Sequence, residues 1–157
     1  MSKNKLYFSG LVVLSTISIS FAFFVEYVLG FEPCILCLYQ RVPYYLLMVM
    51  GIAGLVLQNS KSLIYIAMFV FLSSAILAGY HTGIEREWFN PSDTCNPGFN
   101  IPEDASVDEI REMLYAAPVA TCTRAAFKIL WLSMTEWNLL LNICLFLYSI
   151  WFIKRKV

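Results

Sequence analysis

Four stretches of this chain are too long and too apolar to lie on the surface of a soluble fold. They are Leu6 to about Leu29, about Val42 to Leu57, Leu63 to about Tyr80, and Trp137 to Ile153. A helix crossing the roughly 30 Å hydrocarbon core of a bilayer needs about 20 mostly apolar residues. The first stretch carries Glu26 as its only charge, near its end, and the third and fourth carry none. The second and fourth are slightly short, so their ends are expected to continue into the flanking residues. The second begins earlier if Leu36 to Arg41 join it. Composition agrees: 59% of the 157 residues are hydrophobic and only 14% charged, against about 25% charged in a soluble domain. That excludes a disordered chain, a nucleic-acid binder and an ordinary soluble enzyme. The expected fold class is an all-α membrane protein, a four-helix transmembrane bundle forming a single domain over 1–157, with the lipid bilayer as its solvent. Lys3 and Lys5 precede the first run as they would in a signal peptide, but the run is about twice a usual signal core and three more spans follow, so a retained first helix is expected.

Four spans put both termini on one side, together with the turn Gln58–Ser62. Those three segments hold Lys3, Lys5, Lys61, Lys154, Arg155 and Lys156 and no acid. The other side takes the loop around Phe31–Arg41 and the long segment His81–Glu136. It holds five basic residues beside all eleven acids, counting Glu26 at the edge. The positive-inside rule then places both termini in the cytoplasm. Trp88, Trp131, Trp137 and Trp151 all fall at span ends, as in an interfacial aromatic belt. Within the long outer loop, Asn90-Pro91-Ser92-Asp93 and Asn96-Pro97-Gly98 are turn sequences. Ser106 and Glu109 have capping-box spacing and open a short amphipathic helix to about Tyr115. Its apolar residues Val107, Ile110, Met113 and Leu114 fit either a membrane-surface helix or a plain linker.

Four of the five cysteines, Cys34, Cys37, Cys95 and Cys122, lie on the outer side, where disulfides persist. Cys144 falls inside the fourth span and reads as a small packing residue. Cys34-Ile35-Leu36-Cys37 lets two sulfurs meet within one helical turn, and a helix N-terminus there lowers a thiol pKa. Pro33 suits a helix start, while Pro43 leaves the start of the second span open. Arg41, four residues after Cys37, shares its face on a helix. Its permanent charge would favour a thiolate and could bind an electron-rich carbonyl. A c-type haem needs His after the second Cys, where Leu38 stands. A structural zinc site needs four ligands with paired spacing, and Cys95 and Cys122, 27 residues apart, form no second close pair; no metal site is expected. A static structural disulfide remains open for both pairs, although the membrane-edge CxxC, the Arg and the opposite loop pair together favour redox chemistry. His81 at a span end reads either as an interfacial or capping residue or, with its near-neutral pKa, as a group for proton traffic.

These residues carry a family pattern. Four spans, Glu32-Pro33-Cys34-Ile35-Leu36-Cys37-Leu38-Tyr39-Gln40-Arg41 before the second, and two cysteines in the second outer loop resemble the disulfide bond formation protein B family. Leu132-Ser133-Met134-Thr135-Glu136-Trp137-Asn138 and Tyr80-His81-Thr82 match it as well. The resemblance covers nearly the whole chain. It implies a quinone-linked thiol oxidase of a bacterial inner membrane, which reoxidises a periplasmic thioredoxin-fold dithiol oxidase and passes two electrons to ubiquinone or menaquinone. Carried over by residue, Cys95 would form the mixed disulfide with the partner. Cys122 would pair with Cys95 at rest and exchange with Cys34. Cys37 would face the quinone as a thiolate, Arg41 would contact a quinone oxygen, and His81 would lie nearby. Gln40 departs from the pattern, since many relatives have an acid there. On this scheme Cys95, between two turn sequences, is expected on an exposed, mobile loop, and Cys34–Cys37 at the membrane edge.

Two other functions compete. One is a four-span scaffold or small transporter whose outer loops are held by structural disulfides, although no buried acid or Lys marks an ion path in the spans. The other is a vitamin K epoxide reductase-like enzyme, which resemblance would give a CxxC at the start of the last span, whereas here it precedes the second.

Overall fold

In lipid every backbone N–H and C=O must find its partner within the chain, and an apolar run of about 20 residues does so only as a helix. The structure is a computed structural model that describes residues 3–57, 61–92, 95, 106–109, 111, 121–125 and 127–155. Four helical segments, Lys3–Val28, Ile35–Leu57, Lys61–Glu85 and Met134–Lys154, are long and apolar enough to cross a membrane. The chain is an all-α, multi-pass membrane bundle.

The first segment is α1, Lys3–Phe23, which widens into a π-helical turn over Phe24–Val28. The second is broken into α2, Ile35–Tyr39, and α3, Val42–Leu57. Pro43 explains the break: it has no N–H for the carbonyl of Tyr39, and its ring disfavours a continuous helix through the preceding turn. Arg41 N–H instead bonds back to the carbonyl of Leu38 (3.1 Å), a tighter turn. The third segment, α4, runs past Tyr80 to Glu85, so His81 and Glu85 stand one turn apart on it. The fourth, α5, covers Met134–Lys154. Ser133 caps it: its hydroxyl accepts from Glu136 N–H (3.2 Å) while the Glu136 carboxylate accepts from Ser133 N–H (2.8 Å). Before it lies a two-stranded hairpin, β1 (Lys128–Ile129) antiparallel to β2 (Leu132–Ser133). Its tip residues Leu130 and Trp131 have φ of 50° and 72°, which suits the twist of a two-residue hairpin turn.

Helix α1 packs chiefly on α3, and α4 on α5. Tyr7, Phe8, Leu47, Ile64, Ala67 and Phe71 form the centre of the core, while large residues such as Ile17, Val49, Phe69 and Leu147 stay exposed for lipid. Tyr7 bonds Ser149 at 2.8 Å across the core. Gly51 and Gly54 bring α3 against α1: a Cβ at 51 would lie 3.1 Å from the Phe8 carbonyl, and one at 54 would land within the Phe8 ring. Phe8 has no exposed surface into which to withdraw.

The capping box of Ser106 and Glu109 is present. Ser106 N–H and hydroxyl both reach the Glu109 carboxylate (2.8 and 2.9 Å), and these donors hold that exposed carboxyl below its ordinary range. Residues 107–109 and 111 are helical, and the rest of the expected amphipathic helix lies outside the described residues. Cys144 is not packed between helices as expected but exposed on the lipid-facing side of α5, where a small apolar thiol is equally at home. Gly54→Ala should cost about 1–3 kcal/mol by overpacking, read as a lowered thermal midpoint in detergent, whereas Gly10→Ala, with open space around it, should cost far less.

Candidate functional site

The cysteine end of the bundle is built on the short helix α2. Cys34 is its N-cap, in extended conformation, and its sulfur accepts from the Cys37 N–H at 3.4 Å. The two sulfurs lie 3.1 Å apart, with Cys34 as donor. Cys95 and Cys122 meet the same spot: Cys122 N–H bonds the Cys95 carbonyl at 3.2 Å. Cys34, Leu36, Ile84, Cys95 and Cys122 form one buried cluster, with Cys37 packed against it. The Cys122 thiol lies beside those of Cys95 and Cys34 and takes the Leu36 N–H. All four expected cysteines are thus brought together. One expectation needs correcting. Cys95 is not on an exposed loop surface but 2% exposed, because Leu36 and Ile84 offer an apolar seat in which a thiol buries well.

Burial and neighbours act on these thiols in a stated direction. The Cys37 sulfur beside it, and then burial, push Cys34 up to about 12. Burial foremost, then the Cys95 thiol, pushes Cys122 up as well.

His81 is buried at 1% exposure and joins three spans. Its Nε2 faces the Cys34 sulfur at 3.5 Å and a Glu85 oxygen at 3.8 Å. Its Nδ1 faces the Gln40 amide at 2.8 Å and the Thr135 hydroxyl at 3.3 Å. Thr135 donates to Glu85 at 2.9 Å and Ser133 donates to its other oxygen at 2.5 Å. Gln40 in turn accepts from Asn138 at 2.5 Å. Asn138 accepts from Tyr44 and from Asn142. Gln40, next to Arg41 in sequence, therefore spends its amide on His81 and Asn138.

Arg41 turns elsewhere. It pairs with Glu26 at 2.6 Å and lies over the Phe23 ring, 5.2 Å from its centre. Arg41 lies in the turn after α2 and not on one helix with Cys37 as the spacing assumed, yet both line an apolar cavity of about 360 Å³, with Ile19, Phe31, Tyr44 and Trp137 also lining it. A second, more polar cleft of about 670 Å³ is lined by Cys34, Cys37, His81, Glu85 and Arg124. Cys37 lines both.

Sequence reasoning gave no role in the site to Glu26, Glu85, Thr135 or Asn138. Glu26 carried a signal: a lone charge inside an apolar run is costly and therefore paired or functional. The sequence offers no second close cysteine pair for a metal, yet the Cys34 and Cys37 sulfurs and a His81 nitrogen lie within 4.8 Å of one another, the third donor coming from α4.

Four cysteines gathered at one end of a four-span bundle, with Cys34 and Cys37 on a polar cleft and Cys37 also on an apolar cavity, define a membrane thiol–disulfide oxidoreductase. The family described as Disulfide bond formation protein DsbB matches residues 4–152. The chain is 34% identical over 158 residues to Disulfide bond formation protein B of Acinetobacter baumannii, covering 94% of this chain and 90% of that one. It is 31% identical over 159 residues to the protein of the same name from Acinetobacter baylyi, covering 94% and 90%. An uncharacterized protein of Rickettsia prowazekii is 40% identical over 139 residues, 88% of this chain and 81% of its own. The chain belongs to the disulfide bond formation protein B family, whose members are disulfide-forming oxidoreductases.

Since the thiolate is the form that reacts, Cys34 in the reduced protein should alkylate at least about tenfold more slowly at neutral pH than a free cysteine. Its rate should climb with each pH unit towards about 12. Peptide mapping after timed iodoacetamide treatment checks both.

Proposed function

We propose that this protein is a thiol:quinone oxidoreductase of a bacterial inner membrane, with cytoplasmic termini and periplasmic redox cysteines. It reoxidises a periplasmic thioredoxin-fold dithiol oxidase and passes two electrons to ubiquinone or menaquinone. The observation that carries the reading is that one sulfur, Cys37, lines both the polar cleft and the apolar cavity that holds Arg41.

A membrane quinone fits that cavity by its donor set. The walls are mainly apolar and aromatic, and the single guanidinium of Arg41 stands among them with Ser18, Glu32, Gln40 and Asn138 as the other polar members. A guanidinium has five N–H donors, so its pair with Glu26 leaves donors for a carbonyl oxygen. A bound quinone supplies an acceptor for two electrons and two protons. Arg41 would hold a quinone oxygen, Phe31 and Trp137 would help to exclude water, and Cys37 would present its sulfur.

The relay begins at the Cys95–Cys122 disulfide. A partner thiolate attacks Cys95, forming a mixed disulfide and releasing Cys122 as thiolate; the partner's second thiolate then resolves it, freeing Cys95. The partner leaves oxidised, and the loop pair holds its two electrons. Exchange of Cys122 with Cys34 moves those electrons to the Cys34–Cys37 pair, whose reoxidation sends them into the cavity. Each exchange needs an attacking sulfur in line with a disulfide, and the packing of Cys122 against Cys34 suits that step. His81, 3.5 Å from Cys34, is placed to take or return its proton. The burial of Cys95 implies that the partner draws it out of its seat on docking. Static staples holding separate loops, as in a scaffold, would have no reason to converge on one spot.

Cys37→Ser should reduce dithiol-driven quinone reduction by purified protein to background while helical content is kept; a wild-type rate would refute the scheme. Cys122→Ser should accumulate a mixed disulfide between Cys95 and the partner, identified by mass spectrometry of the trapped adduct. An adduct through Cys34 would reverse the order of the relay.

A further inference from the structure

We propose that the reduced Cys34–Cys37 pair and His81 form a binding site for a soft divalent cation, zinc being the leading case, which is taken up in place of the disulfide.

Three donors from two helices already face one point. Tetrahedral zinc, with bonds of about 2.3 Å to sulfur and about 2.0–2.1 Å to nitrogen, separates two sulfurs by roughly 3.8 Å and a sulfur from a nitrogen by roughly 3.5 Å. Cys34 Sγ and His81 Nε2 stand 3.5 Å apart, and the two sulfurs 3.1 Å. A modest rotation of Cys37 completes the triangle. Thiolate and imidazole ligands together select zinc-like ions over magnesium or calcium. The fourth position faces the cleft that these three residues line with Glu85, so water or the Glu85 carboxylate, 3.8 Å from Nε2, fills it.

The surroundings of His81 suit a ligand. Coordination through Nε2 puts the ring proton on Nδ1. There the Thr135 hydroxyl, 3.3 Å away, accepts it while donating onward to Glu85 at 2.9 Å, and the Gln40 amide nitrogen, which donates to Nδ1 at 2.8 Å in the metal-free site, turns away as the ion binds. A metal-bound histidine is usually oriented by such an acceptor. Binding balances as two thiol protons released for one divalent ion gained, with no electron moved, since zinc has no redox chemistry. The oxidised pair, its sulfurs joined, offers no thiolates. Metal and disulfide therefore exclude one another. On the proposed function, which this consequence alone rests on, the ion holds the pair reduced and stops turnover.

The test uses full-length protein in detergent, reduced and freed of reductant, titrated with Zn²⁺ against a chromogenic chelator and with Co²⁺ for its tetrahedral visible bands. One equivalent should bind to reduced protein and none to protein oxidised beforehand. Bound Zn²⁺ should protect Cys34 and Cys37 from alkylation. His81→Gln, and separately Cys34→Ser, should weaken binding by more than about tenfold. Equal uptake by oxidised and reduced protein, or alkylation protected only at Cys95, Cys122 or Cys144, overturns the proposal, as does no uptake at all. The oxidised-versus-reduced comparison needs no variant, so a poorly folding substitution leaves the answer intact. Uptake with these features in a protein that fails to reduce quinone would sink the quinone reading and leave the metal site standing.

Discussion

A histidine side chain at 1% exposure, at the end of a membrane-crossing bundle, must have both ring nitrogens satisfied, because an unpaired polar group there costs several kcal/mol. Meeting that demand organises the rest of the site. Gln40 comes from the turn after α2, Thr135 from the start of α5, and Glu85 from one turn further along α4. Three of the four spans are thereby locked in rotation and in depth. Asn138 and Tyr44 extend the bonding inward from Gln40, so the register of α5 against α3 is set by polar contacts where apolar packing alone would tolerate a slip. Cys34 is then held at His81, and the other three sulfurs gather on it.

The second constraint is the ion pair of Glu26 and Arg41, which joins the remaining span to the same end. Each partner is mostly buried, with exposures of 20% and 13%, and removing either leaves the other unmatched, a larger penalty than the pair itself returns in stability. Its value lies in placement. The π-helical turn over Phe24–Val28 carries Glu26, and such turns recur where a helix must redirect a side chain at a functional site. Glu26 fixes the guanidinium on the wall shared with Cys37, while the stacked Phe23 ring shields its far side.

The fold was legible in the sequence because lipid leaves so few solutions: length and hydropathy alone mark four helices. The CxxC, Arg41, His81 and the loop cysteines were legible as chemistry, since few residue types can do it. What stayed hidden depends on where helices end and how they rotate. Glu85 read as a loop charge only because the apolar run stops at Tyr80, whereas the helix continues past it. Once His81 and Glu85 share a helix, their spacing of four puts them on one face. Cys95 looked exposed because turn residues flank it, and its burial comes from Leu36 and Ile84, which no local pattern ties to it. The partners of Gln40 depend on the rotation of α5 and could not be read from spacing.

Pro43 links these levels. By breaking the second span after Tyr39, it lets adjacent residues serve different tasks: Gln40 gives its amide to His81 and Asn138, and Arg41 gives its charge to Glu26 and the cavity. On an unbroken helix, neighbours point about 100° apart at a fixed radius; the tight turn at Arg41 frees them from that spacing. Cys37, just before the break, is then the one cysteine within reach of both sides. A sulfur so placed, on the proposed reading, presents the Cys34–Cys37 pair to a membrane-borne acceptor while its neighbour Cys34 exchanges with Cys122. On the proposed reading, mobility is required only of the Cys95–Cys122 pair, while the Cys34–Cys37 pair can be held by every polar contact the bundle provides.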